Sequence, residues 1–455
     1  MDFKTRLPFL LLWVCSLQAM AQSGQNFTAS PYSNFGLGEV LNNNFTQAGY
    51  SSQSHSGAYS YSLLNPATLG NLQYTTLDFG LSARTGSVQS GSNVQGFRGG
   101  SLNYLAMGYK SWHTALKIRP KSNADSTKRI KKLPLEWNSA FALYPSTSVG
   151  YNYVFESQNP IKTLTAHSGI GGINVVDWAH GLRIGNHVSF GYSLGYMFGQ
   201  LTDNSIFSFP DSAEYNFVGD EKRVLLRGYQ HRAGGLFQFR MDSTYHKLGF
   251  SFGFHSGMKG NQSRLTRTLE YSSGGSLYAI DTVVLSETGY QKFKMPSSLG
   301  LGYTFQWRRK WSLGLDYRFT RWGNYSAFFS HTSQMANRSD FGFTFILNPA
   351  DEKLSKQKHQ PIPIRLGARY SQTQNVFTSS GVKTTIEEQG AFFGFGLPLT
   401  RRYFDNRVLR SVINVQIDYI TRGKNSNGLA REQYVGATVG LNLGDIWFVR
   451  RKFGD

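Results

Sequence analysis

Along residues 188–199, bulky and small residues alternate one for one. Val188, Phe190, Tyr192, Leu194, Tyr196 and Phe198 hold the even positions, and Ser or Gly holds every odd position except Met197. A period of two sends the two sets to opposite faces of a β-strand. In a water-soluble sheet the bulky face would pack on a core and the other face would carry charge. Here the other face is small and nearly uncharged. That suits a strand whose bulky side meets lipid and whose small side lines a space that something else fills.

The same period returns from Thr75 onward. Leu77, Phe79, Leu81 and Ala83 alternate with Asp78, Gly80, Ser82 and Arg84, and Gly100–Lys110 gives a weaker second strand. Trp137–Phe155 reads as one long strand interrupted at Tyr144-Pro145-Ser146, and residues 161–184 as strand around a Gly169-Ile-Gly-Gly172 segment whose role the pattern leaves open. Residues 202–222 read as an acidic loop carrying Asp203, Asp211, Glu214, Asp220 and Glu221. Arg264–Tyr271 and Leu277–Leu285 extend a strand pair as an external hairpin. Strand starts fall near 75, 100, 137, 161, 188, 224, 247, 290, 311, 341, 362, 387, 409 and 432, which makes 14. Connections after the fourth, sixth and eighth strands are short, and those after the fifth, seventh and ninth are long. An even strand number with short turns opposite long loops predicts an all-β, 14-stranded antiparallel transmembrane β-barrel with both termini in the periplasm. The expected division is a barrel at 74–443, an N-terminal hatch or plug segment at 22–73 and a periplasmic tail at 444–455.

Composition sharpens this picture. Lys4 and Arg6, an apolar run from Leu7 to Leu17 and Ala19-Met20-Ala21 form an export signal with its cleavage site, so residues 1–21 are expected to be removed. Cys15 is the single cysteine and lies inside that signal; Trp13-Val14 before it are bulky where a lipidated cysteine needs small neighbours. No later stretch is long and apolar enough for a membrane-spanning helix, and the mean hydropathy of −0.35 is that of a barrel with half its strand residues turned inward. The net charge of +20 sits in short clusters between strands, such as Lys128–Lys132, Arg308–Lys310, Arg401-Arg402 and Arg450–Lys452. Basic turns suit anionic lipid head groups better than nucleic acid, and no nucleic-acid partner is expected.

Enzymatic patterns do not survive inspection. Gly191-Tyr-Ser-Leu-Gly195 matches G-x-S-x-G, but a nucleophile elbow needs a strand-to-helix turn and this match lies mid-strand. The ten histidines show no metal-ligand spacing, and Gly169–Gly172 lacks the Lys-Ser/Thr of a phosphate loop. No enzyme, cofactor or metal is expected. The inward carboxylates Asp316 and Asp418 are candidates to pair with Arg318, Arg365 or Arg369 as a structural lumen network.

Several stretches together carry a family likeness. They are Asn65-Pro66-Ala67 before the first strand, Pro145-Ser-Thr-Ser-Val-Gly-Tyr151, Asp316-Tyr317 followed by Arg321-Trp322, and the closing Trp447-Phe448. In these the chain resembles the FadL/TodX-type outer-membrane transport proteins, which are 14-stranded barrels plugged by a hatch. The ending departs from the pattern, because about twelve residues follow Leu443. The resemblance implies a monomeric barrel in the outer membrane of a Gram-negative cell, passing small hydrophobic molecules through a hatch-gated lumen. In that reading Asn65, Pro66 and Ala67 belong to the hatch, and Tyr144, Pro145 and Ser146 form the kink of a lateral exit. The alternative is a structural or secretion-accessory barrel with a protein partner and no small-molecule transport.

Overall fold

The computed structural model describes residues 30–34, 36–41, 44–118, 131–158, 161–211, 215–272, 274, 276–308, 310–325, 335–348, 362–379, 382–402, 408–426 and 429–445. The expected signal sequence with Cys15, Trp447-Phe448 and most of the expected tail lie outside the described residues. A two-residue strand, β1 (Glu39–Val40), precedes the regular series. There follow β2 (Thr75–Ser90), β3 (Asn93–Ile118), β4 (Lys131–Ser157), β5 (Thr163–Ile184) and β6 (Val188–Ser208). Next come β7 (Phe217–Met241), β8 (Thr244–Tyr271), β9 (Leu277–Lys292), β10 (Ser298–Trp307) and β11 (Trp311–Thr320). The chain finishes with β12 (Arg338–Leu347), β13 (Ile364–Ser379), β14 (Val382–Arg402), β15 (Val408–Arg422) and β16 (Arg431–Asp445).

All pairings are antiparallel. β16 returns to β2 from Arg431↔Gln89 through Asp445↔Thr75, and β10 pairs with β8, so the sheet closes. Of the 16 strands only β1 and β9 stand outside the ring, which leaves 14 in the wall. Closure gives every wall strand a neighbour on both sides, as strands crossing lipid require, while β9 keeps β8 as its one neighbour among the described residues.

The alternation of residue size decides the facing. Phe190 and Phe250 are 51% exposed, whereas Ser189 and Ser251, one residue away from each, are 1% and 7% exposed. Tyr192, Leu194, Phe252 and Leu315 join the exposed set, and Leu313 is partly exposed. A monomer with this many outward aromatic and aliphatic side chains has its apolar face in a bilayer.

Several expected boundaries move. The strand expected near residue 290 begins at Ser298, because Leu277–Lys292 is spent on β9, which pairs only with β8. The expected acidic loop is largely strand: Asp203 lies on β6 and accepts from Tyr151 Oη at 2.7 Å, and Asp220 on β7 meets Arg264 Nε at 2.8 Å. Paired charges can stand on a strand beyond the lipid, and composition alone misses that. β7 and β8 are 25 and 28 residues long, against the roughly 9–11 that cross a bilayer. Their upper halves therefore stand clear of lipid, and β9 lies along the side of that extension with Leu285 76% exposed.

Arginine in place of Phe252 or Leu301 should destabilise the barrel by about 2–4 kcal/mol if the site is at the bilayer midplane, read by denaturant unfolding in lipid vesicles. A cysteine replacing Phe252 should react with a lipid-soluble maleimide, and one replacing Ser251 should not. The opposite labelling pattern would invert the facing.

Candidate functional site

The interior is built from inward glycines. A β-carbon on Gly191 would stand 2.2 Å from the Ala67 nitrogen, on Gly249 2.2 Å from the Gln53 carbonyl oxygen, and on Gly342 2.4 Å from that of Tyr50. Gly181, Gly234, Gly300, Gly314 and Gly440 meet the same stretch of chain equally closely. The missing side chains on β5 to β16 thus form a belt that admits residues 46–70 against the inner wall, by their main chain at Gly191, Gly249 and Gly342 and by side chains at Gly234, Gly300, Gly314 and Gly440.

Polar anchors fix that segment. Asn65 is wholly buried and caps the short helical turn Pro66–Asn71: its Oδ1 accepts from Ala67 N–H at 3.1 Å, with extended backbone at φ −132° and ψ 99°. Asn and Pro suit these two positions, one as a cap and the other as a first helical residue lacking an N–H. Asn65 Nδ2 donates to Gln53 O at 2.7 Å and to Gly235 O on β7 at 3.1 Å, so the turn is tied to the wall. Asp316 on β11 accepts the N–H groups of Ser52 and Gln53 at 2.6 and 2.8 Å. Asp418 on β15 accepts from Tyr50 Oη at 2.6 Å and from Gln416 Nε2 at 2.8 Å. The expected pairing of these two carboxylates with arginine is therefore replaced by hydrogen bonds to the N-terminal segment and a neighbour. Arg318 instead reaches Asp340 at 3.3 Å, Arg369 reaches Glu388 at 2.6 Å, and Arg365 meets the amide of Asn414.

The densest charge cluster was not foreseen. Arg422 Nη2 lies 2.6 Å from Glu39 and 2.5 Å from Glu388, and its Nη1 lies 3.2 Å from Glu432. Arg84 pairs with Glu39 at 3.0 Å, and Ser30 Oγ donates to Glu432 at 2.5 Å. With Arg369 this gives three arginines against three glutamates, nearly all sealed from solvent. Glu39 is the one member that the N-terminal segment contributes. Burial opposes its charge, but Arg422 and Arg84 outweigh that and hold its carboxyl well below the usual range. The parity of the exposed residues carries a signal for most of this cluster: with Leu81, Phe393, Ile417 and Val435 outward, Arg84, Glu388, Arg422 and Glu432 fall on the inner face. Glu39 has no such signal.

At Pro145 the wall changes partners. β3 pairs with β4 only as far as Leu105↔Leu143; beyond it β1 takes that edge, with Glu39↔Ser148 and Val40↔Thr147. Leu41 N–H donates to Ser146 O at 3.0 Å and Ser30 N–H to Gly150 O at 2.8 Å. On the other edge β5 stays paired, with a register shift between Pro145 and Thr147. β4 is thus continuous through Tyr144-Pro145-Ser146, with no break into two strands. Just past the shift, opposite Ser148 and Val149, stand Gly172 and Gly171, at φ +156° and +132°, where a β-carbon would strike Thr147 O and Gln200 O within 2.4 Å. The glycine segment that the pattern left open thus lies on the partner strand immediately beyond the kink. Tyr144 is wholly buried and accepts from Arg232 Nη1 at 2.9 Å.

Two hollows meet here. Outside, a dent of about 570 Å³ is lined by Leu102, Leu143, Ile170, Tyr196, Phe198 and Leu225. Inside, a cavity of about 140 Å³ is lined by Glu39, Arg84, Arg369, Glu388 and Asp418. Leu41 and Pro145 line both and stand between them. A third hollow of about 640 Å³ opens at the short-turn end, beside Asn186 and His187. There burial, followed by Lys247 and Arg365, pushes His55 down to about 3, so it is neutral at physiological pH.

Comparison with solved structures shows the same fold at low identity. The CymD monoaromatic hydrocarbon channel is 11% identical with a TM-score of 0.52, covering 90% of this chain and 98% of its own. The Pseudomonas putida toluene transporter TodX is 14% identical with a TM-score of 0.53, covering 88% and 99%. A Pseudomonas aeruginosa FadL homologue is 10% identical with a TM-score of 0.50, covering 89% and 98%. None of the curated proteins matches the sequence. A family model described as BamG matches residues 5–128 and 130–454.

Replacing Arg422 with Met should cost about 3–5 kcal/mol, since Glu39, Glu388 and Glu432 would keep buried charge without their shared partner. Denaturant unfolding would show it. Gly249→Leu should free residues 46–60 to protease while leaving the barrel heat-modifiable on gels; full protection would mean that the close approach at Gly249 is not required.

Proposed function

We propose, for a chain that belongs to the BamG family, that it is an outer-membrane barrel acting as a docking partner in outer-membrane protein assembly, its lumen closed by the N-terminal segment. The family's name supports an assembly setting, and the transmembrane barrel supports placement in an outer membrane, with lipid around the wall and the short turns in the periplasm. The character of the lumen carries the reading. An apolar solute moving through a barrel needs apolar surface along its way. In this interior the space beside Pro145 is walled by Glu39, Arg84, Arg369, Glu388 and Asp418, and residues 46–70 are fastened to the wall at Asn65, Asp316 and Asp418. Moving that segment would strip several buried charges and donors of their partners, a cost a passive channel would have to meet at each opening.

One observation favours a second reading. The dent beside Pro145 presents Leu102, Leu143, Ile170, Phe198 and Leu225 among polar neighbours such as Asn174 and Gln200, and structures of this fold include hydrocarbon channels. A small hydrophobic molecule could leave sideways there if Leu41 and Pro145 separated. Under that reading Asn65, Pro66 and Ala67 act as the hatch, and Tyr144, Pro145 and Ser146 as the exit.

Planar bilayers and a solute-uptake assay distinguish the two. The intact protein should be nearly silent in bilayers, and deletion of residues 25–60 should raise its conductance. Cells expressing it should take up toluene at the background rate, and Pro145→Val should change nothing. Protein gently extracted from its native membrane should carry stoichiometric partner protein. Toluene uptake above background that falls on Pro145→Val, with no partner retained, would establish transport instead.

A further inference from the structure

The hollow at the short-turn end has an unusual wall. Arg183 on β5, Arg240 on β7, Lys247 on β8, Arg365 on β13 and Arg410 on β15 all line it. No aspartate or glutamate is among the described residues that line it. Some of this charge is answered nearby: Arg183 has Glu136 at 3.8 Å, just outside the lining, and Lys247 Nζ donates to Ser56 O at 2.6 Å. Arg365 is different. It is 3% exposed, its Nη2 meets Asn414, and its Nη1 is buried without a hydrogen-bond partner among the described residues. A buried guanidinium with an unmet donor, in the wall of a hollow of about 640 Å³, is suited to accept an anionic partner.

We infer that this basin binds an acidic polypeptide segment of a partner protein entering from the periplasm. The spread of the cations selects an extended ligand. They sit on five strands spread over an arc of ten of the 14 wall strands, so one phosphate or carboxylate cannot meet them together, whereas a run of carboxylates along a chain can. Tyr59, Tyr74, Phe239 and Tyr245 line the same hollow and offer apolar surface for the stem of such a chain. Asn71, Asn186 and Gln238 add side-chain amides that suit a peptide backbone. The inference rests on the reading of the barrel as a docking partner and names the chemistry that would be docked.

The test is fluorescence anisotropy with the full mature chain in a neutral detergent and fluorescein-labelled hexaglutamate as the probe. Hexaglutamate should bind and hexaglutamine should not, and added salt should weaken the binding through screening. Arg183→Gln/Arg240→Gln, at the rim, should weaken it about tenfold with heat-modifiability unchanged; Arg365→Gln should do so as well. Inorganic phosphate should compete poorly. No binding to the intact protein, equal binding of hexaglutamine, full displacement by phosphate at matched charge, or indifference to both variants would each overturn the basin. The docking reading fails separately: if the intact protein retains no partner on extraction, that reading falls whatever hexaglutamate does. If the rim variant retains its partner undiminished, the basin falls and docking stands.

Discussion

Everything in this molecule depends on the pairing of β16 with β2. A hydrocarbon environment offers no partner to an open row of N–H and C=O groups, so a sheet in lipid must close or fail. Fifteen residue pairs, Arg431↔Gln89 to Asp445↔Thr75, make that seam continuous from one end of the wall to the other. Once closed, a ring of 14 strands has an interior too wide for its own side chains to fill. Residues 46–70 occupy part of that interior, and the glycines opposite them are the accommodation on the wall's side.

That accommodation sets the division between polar and apolar. On the outside, large side chains face lipid; on the inside, glycine and serine give way to backbone whose donors need acceptors. Asp316 and Asp418 are therefore acceptors for chain rather than partners for arginine. Arg84, Arg369 and Arg422 gather farther along the strands with Glu39, Glu388 and Glu432, where buried charges of both signs can balance. The interior is thus specified by hydrogen bonding and the exterior by size alone.

The strand count, the facing and the strand–turn alternation were legible because a period of two is a property of single strands. Phe190, Phe250 and Leu315 declare their face without reference to any neighbour. The boundary near residue 290 was not legible, because β9 alternates like any strand and nothing in its own residues says that it has one neighbour and not two. Pairing of Asp316 was likewise hidden, since its partners are backbone groups 263 and 264 residues away, and a backbone N–H has no sequence signature. Pro145 announced a disturbance in β4, but Gly171 and Gly172 became meaningful only once the register set them against Val149 and Ser148, just beyond it.

The contacts of the N-terminal segment also order events in time. Ser30 bonds to Glu432 across 402 residues of sequence, and Tyr32 Oη donates to Ala430 O across 398. Residues near the start of the chain cannot reach their final partners until the last strand exists. Loop closure over such a span is slow, and contacts this distant in sequence form late in folding. These early residues must therefore wait in an unfinished state while strands accumulate behind them, and the wall has to close around them or admit them afterwards.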